Sequence, residues 1–201
     1  MVTTDLPELA LRSQDVGWNR ERWERLPEDG NRYEVIDGVL YMTTAPSAFH
    51  QWIIRQIVRI LFVQIDDAGI GITLWSPLGL FMPGCDPVQP DIIVIRTENL
   101  HIIHDRRITG IPALLVEVLS PSNPTQDTET KRKAYARAGV PEYWIVRPAS
   151  RDLLLCTQPD AALGDYAGSD LIAPDGTLVS PTLPVRTPIA RFFADAPDTT
   201  W

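Results

Sequence analysis

Positive charge is in short supply in this chain. Its 18 Lys and Arg face 26 Asp and Glu, for a formal net charge of -8. That balance excludes tight, non-specific binding of phosphate backbones over the whole surface, which draws on many Lys and Arg contacts. Any such contact must come from a local patch or a basic partner. A divalent-cation site built from carboxylates stays open, because a bound metal offsets their charge. Cysteine is also scarce: Cys85 and Cys156 have no motif spacing, and a reduced, cytoplasmic compartment is expected. No apolar run approaches membrane-spanning length, so no membrane partner is expected. The opening MVTTDLPELALRSQD lacks a basic start followed by an apolar run and does not read as a secretory signal. Walker loops, Gly-x-Ser-x-Gly elbows, Rossmann glycine fingerprints and internal repeats are missing. His101 and His104 form an H-x-x-H, but no third ligand lies nearby in sequence, so no zinc site is expected.

What the chain does have is an ordinary globular composition, 44% hydrophobic and 22% charged over 201 residues, enough for one buried core. Residues 1–31 read as a polar arm with a short helix near Trp18 to Arg25, and 32–201 as one domain. RYEVIDGVLYM, Arg32 to Met42, reads as two strands around an Asp37-Gly38 turn. Ser47 is placed to cap a helix whose apolar positions Ile53, Ile54, Ile57, Val58, Leu61 and Ile65 keep helical spacing, with Gly69 and Gly71 closing it. Strands are expected over Ile72 to Met82, Val88 to Ile95, Ala113 to Leu119, Glu142 to Val146 and Leu153 to Thr157. Asn123 to Thr125 punctuates the chain before a helix over Asp127 to Ala138, stopped by Gly139, and a short helix is expected near Ile189 to Phe193. This order predicts an α/β domain with a mixed central β-sheet flanked by helices.

The chemistry begins at ALLVEVLS, Ala113 to Ser120. Apolar residues on both faces mark a buried central strand, and Glu117 sits in its middle. A buried carboxylate must neutralise, pair with Arg or Lys, or bind a metal. Asp91, in VQPDIIVI, lies near the start of another apolar strand after Pro90; alone it reads as a loop-capping Asp. Together the two can hold a hard cation through oxygen ligands. Such a cation can activate water and offset charge on a phosphate. Glu34 shares a face with Ile36 by strand parity, and alone reads as a surface or paired Glu. Lys131 shares a helix row with Asp127 and Tyr135, whereas Glu129, Lys133 and Arg137 form a solvated row. Lys131 is therefore the candidate to orient water or neutralise developing charge, against a plain Asp127–Lys131 pair. His50, on the first turn of the long helix, either meets a local acceptor or borders the site. Gln89, Ser120 and Tyr135 are expected to border it too.

RYEVIDGVLYM, PSAFHQWIIRQI, VQPDIIVI and LLVEVLSPSNPTQDTETKRKAYARAGVPEYWIVRP occur in that order, and SPTLPVRTPIARFF follows near the end. Together they resemble the Uma family of restriction-endonuclease-like proteins within the PD-(D/E)XK superfamily. The resemblance implies a restriction-endonuclease-like core, a Mg²⁺- or Mn²⁺-dependent nuclease acting on DNA, and a homodimer that serves both strands. It assigns the two acidic positions to Asp91 and Glu117, and an accompanying acidic residue to Glu34. The usual lysine would stand two residues after Glu117, where this chain has Leu119; in proteins resembling this one a lysine on the following helix substitutes, and Lys131 occupies the matching place in D-x-x-x-K-x-x-x-Y. A nuclease-fold module that binds or assembles without cutting is the alternative, and RNA or a nucleotide the alternative substrate.

Overall fold

The computed structural model describes residues 11–27, 29, 31–43, 45–120 and 126–196, without the side chains of Leu11, Asp86 and residues 126–128. The hairpin forms as its turn residues dictate. Strands Arg32–Ile36 and Val39–Thr43 pair antiparallel around Asp37 and Gly38, at φ 50° and 76°. Both central residues are left-handed, which gives the tight turn whose twist matches paired strands. Ser47 caps helix Ala48–Leu61, accepting a bond from the His50 backbone N–H at 3.2 Å. Every apolar position expected to line that helix is buried. The helix ends in a wider, π-type turn over Phe62–Asp66.

Six strands build the central sheet, in the order Asp165–Ile172, Asp152–Asp160, Glu142–Arg147, Leu114–Val118, Ile92–Arg96, Gly71–Trp75. Only Leu114–Val118 and Glu142–Arg147 run parallel. A parallel pair needs a crossover, and the intervening chain supplies one: a π-helical start over Gln126–Lys131 that continues as helix Arg132–Ala138. Gly139, at φ 84°, ends it, and the Val140 N–H returns to the Tyr135 carbonyl at 3.0 Å. The expected punctuation at Asn123 to Thr125 and the Asp127 side chain lie outside what is described.

Strand alternation splits the core across the sheet. Ile92, Val94, Leu114, Val116, Val118, Trp144 and Val146 face the long helix and the closing turn Ile189–Phe192. Ile93, Ile95, Leu115, Tyr143 and Ile145 face Ala134, Tyr135 and Ala138 of the crossover helix and Ile36 of the hairpin. Fully burying one such side chain contributes about 1.5–3 kcal/mol. Glu117 has the parity of Leu115, so it points to the hairpin and crossover-helix side.

Two expectations need correction. Val88 to Ile95 is not one strand. Cys85–Val88 belongs to a separate four-stranded sheet, and Ile92–Arg96 to the central one, with Gln89 to Asp91 as the step between. Pro90 lacks the N–H that a continuous ladder would use. Strand Asp165–Ile172 was not expected. It is the sheet's edge, and of its side chains only Tyr166 is buried, so it carries almost no apolar signal. The short strands Leu11–Arg12, Ile103–His104, Arg107–Thr109, Thr177–Val179 and Arg186–Pro188 were not expected either, while the hairpin and the other central-sheet strands fall within a few residues of where the sequence places them.

Candidate active site

The central sheet, hairpin and crossover helix bring Glu34, Glu117 and Lys131 to one point. Lys131 Nζ lies 2.9 Å from Glu117 Oε1 and 3.0 Å from Glu34 Oε2. All three side chains are 3% exposed. Local structure explains the aim of each. Glu117 is carried by the central strand. Glu34 shares Ile36's face on the hairpin. Lys131 stands one turn before Tyr135, on the face that buries Ala134 and Ala138, while Lys133 and Arg137 point to solvent. The Tyr135 hydroxyl donates to Glu117 Oε1 at 3.1 Å. Burial, then the charges of Glu117 and Glu34, push the Tyr135 hydroxyl well above its ordinary pKa, so it remains a neutral donor. The second Glu34 oxygen, Oε1, accepts the backbone N–H of Gln89 at 2.8 Å.

Asp91 lies immediately beside this group. The antiparallel register pairs Val116 with Ile92, and one step further along it sets Asp91 opposite Glu117. Asp91 Oδ2 accepts the Val118 N–H at 2.9 Å and lies 3.2 Å from His50 Nε2. His50 Nε2 is also 2.9 Å from the Val118 carbonyl. Two acceptors at Nε2 assign the proton there. Burial alone would raise the Asp91 carboxyl, but Arg32 and His50 outweigh it and hold it well below the usual range. Burial disfavours a charged His50; the bond to Asp91 outweighs this and raises its pKa above the ordinary value. Asp91 is therefore a charged, fixed carboxylate. Ser120 is half-buried just past the strand.

Arg32 is the residue that pattern reading missed. Its Nη1 donates to Asp91 Oδ1 at 2.7 Å, and its Nη2 to the Gln89 carbonyl. Burial works against its charge, but Asp91, Glu34 and Glu117 outweigh burial and hold the proton more firmly than usual. Strand parity was the available signal, since positions 32, 34 and 36 share a face. His101 and His104 are both exposed. Both cysteines are free, and burial pushes the Cys156 thiol up to about 11, which leaves it un-ionised near neutrality.

As arranged, no group of three or more His, Cys, Asp and Glu side chains among the described residues is set to hold a metal ion. Arg32 and Lys131 meet the negative charge instead. The donors still fit a hard cation in kind. Glu34 and Glu117 present carboxylate oxygens to a shared point, Asp91 adds a third carboxylate, and Gln89 Oε1 is a buried oxygen with no hydrogen-bond partner. Mg²⁺ commonly takes one or two carboxylates and keeps several waters. A cleft of about 440 Å³ is lined by Trp23, Glu24, Arg32, Tyr33, Gln89 and Arg106, so it borders the Arg32–Gln89 side of the cluster.

A crystal structure from Anabaena variabilis, titled a "putative nuclease belonging to DUF820", superposes with a TM-score of 0.73 at 18% identity. The match covers 87% of this chain and 96% of that one, and it shows a shared fold. No curated protein matches. No helix among the described residues is long and apolar enough to cross a membrane. The family model described as "Putative restriction endonuclease" matches residues 20–191, which takes in the hairpin, the central sheet and every residue of the cluster. The chain belongs to the Uma2 family of restriction-endonuclease-like nucleases.

Proposed function

We propose that this protein is a Mg²⁺- or Mn²⁺-dependent endonuclease that hydrolyses DNA phosphodiester bonds. Asp91 and Glu117 are the assigned metal ligands, and Glu34 a further ligand or the group that positions water. The observation that carries this reading is the meeting of Glu34 and Glu117 on Lys131 Nζ, beside a charged Asp91. A divalent cation there would supply positive charge against the phosphoryl oxygens and activate the attacking water. Lys131 orients that water or neutralises charge on the phosphate as it develops. Tyr135 holds Glu117 by its hydroxyl, and the Val118 N–H and His50 hold Asp91, so two carboxylates keep their direction before substrate arrives. DNA is favoured as substrate by the family, and the cleft offers the exposed Arg106 to a phosphate, beside Glu24 and the Asp91-paired Arg32. A pair of copies would serve the two strands of a duplex.

The test measures divalent-ion binding and nicking of supercoiled plasmid by wild type and Glu117→Gln, with RNA and nucleotides as parallel substrates. Wild type is expected to bind Mn²⁺ and nick DNA, and Glu117→Gln to lose both. Equal ion binding by the two proteins would sink the assigned site. One observation favours a second reading, a nuclease-fold module that binds without cutting. The three acidic side chains are only 2–3% exposed and already carry Arg32 and Lys131. DNA binding with no Mn²⁺-dependent nicking would support that reading, and nicking abolished in Lys131→Ala would end it.

A further inference from the structure

Arg32 occupies the carboxylate that a metal would need. Asp91 Oδ2 is committed to the Val118 N–H, fixed in the sheet, and to His50, fixed on the long helix. Among the described residues, Oδ1 is held only by Arg32 Nη1, on a long side chain that borders the cleft and is itself 18% exposed. The guanidinium is incompletely satisfied there: its Nε is buried with no hydrogen-bond partner. Arg106 lines the same cleft, is exposed, and has no hydrogen bond or ion pair among the described residues. A divalent ion and a guanidinium repel each other and compete for the same oxygen. A planar guanidinium matches the oxygens of a phosphate in a forked, two-bond geometry.

We propose that Arg32 is a displaceable counter-cation. Without metal it keeps Asp91 placed; when a divalent ion takes Asp91 Oδ1, the guanidinium turns into the cleft beside Arg106 and contacts a phosphate of the substrate. This rests on the metal-dependent reading above and adds a phosphate-contacting residue to it. Removing Arg32 then has two effects of opposite sign, tighter metal binding and slower cleavage. Loss of a merely structural residue would weaken both.

The test uses the full chain, with Mn²⁺ affinity by calorimetry, plasmid nicking at saturating Mn²⁺, and circular dichroism to check folding. Arg32→Gln is expected to bind Mn²⁺ at least about tenfold more tightly than wild type. It should nick roughly a hundredfold more slowly. Arg32→Lys keeps the charge without the fork and guards against a misfolded Gln variant. It should bind Mn²⁺ several-fold more tightly, by roughly the loss of one charge-assisted bond, and nick more slowly. If wild type binds and nicks while both variants bind Mn²⁺ no more tightly, the Arg32 inference is overturned and the site stands. Tighter binding with undiminished nicking also overturns it, because it removes the phosphate contact. A wild type that binds no divalent ion overturns the site reading and this inference with it.

Discussion

Replacing Lys131 by Met is the most direct probe of how the buried cluster is held together. Met keeps most of the side-chain volume and removes the charge. It leaves Glu34 and Glu117 facing the same apolar space, with their contacts of 3.0 and 2.9 Å gone. Removing one member of a buried ion pair typically costs about 3–5 kcal/mol, because the remaining charge is stranded. Lys131 serves two carboxylates, while Arg32 and the Tyr135 hydroxyl continue to offset them, so about 3–5 kcal/mol is the working figure. In a domain of this size each kcal/mol moves the midpoint by about 2–4 °C, which gives a fall of roughly 6–20 °C. Thermal unfolding followed by circular dichroism reads it directly. Mn²⁺ in hundredfold excess over its Kd should return about 2.7 kcal/mol, since a cation again sits between the carboxylates. Adding Glu34→Gln to Lys131→Met removes one stranded charge, so the double variant should melt above the single one. A midpoint for Lys131→Met within about 2 °C of wild type would refute the reasoning, because that is less than 1 kcal/mol at this size. So would a double variant that melts lower still.

Two further outcomes follow from elements that carry the cluster. Gly38→Ala should destabilise by about 1–3 kcal/mol, since φ there is 76° and the added Cβ would lie 2.3 Å from the Val16 carbonyl oxygen; chemical denaturation measures this, and an unchanged midpoint would mean that the turn does not set the hairpin. Asp165 pairs with Arg132, whose Nε lies 2.8 Å from Oδ1, and that bond holds the carboxyl below its ordinary value of 3.8. A depressed folded pKa contributes stability that is present above the unfolded value and lost as pH falls through the folded one. Asp165→Asn should therefore be less stable than wild type near neutrality and converge with it as pH falls below the ordinary carboxyl value, and parallel pH–stability curves would contradict the pairing.

Much of the scaffold was legible because its signals are local. Left-handed Asp37 and Gly38 make one kind of turn, and the Ser47 cap and the Ile53-to-Ile65 spacing make one kind of helix. The edge strand Asp165–Ile172 escaped because it buries so little that no apolar alternation betrays it. The break at Gln89 to Asp91 escaped for a different reason: Val88 and the apolar residues from Ile92 onward read as one strand across Pro90, and only pairing with two different sheets divides them.

Within the site, the sequence alone determined that Glu117 is buried on a central strand and must find a counter-charge. It also determined that Lys131, not Lys133, faces inward, because strand and helix periodicity decide which way a side chain points. Which charges then meet was decided only by the tertiary structure. Periodicity expected Asp91 and Glu117 to be the working pair. The fold sets Asp91 beside Glu117, and it also joins Glu117 to Glu34 through Lys131 and gives Asp91 to Arg32, a residue 59 positions away in the chain. A buried ion pair is set by distance and burial between segments that meet only after folding, and nothing in the local spacing of residues encodes that distance.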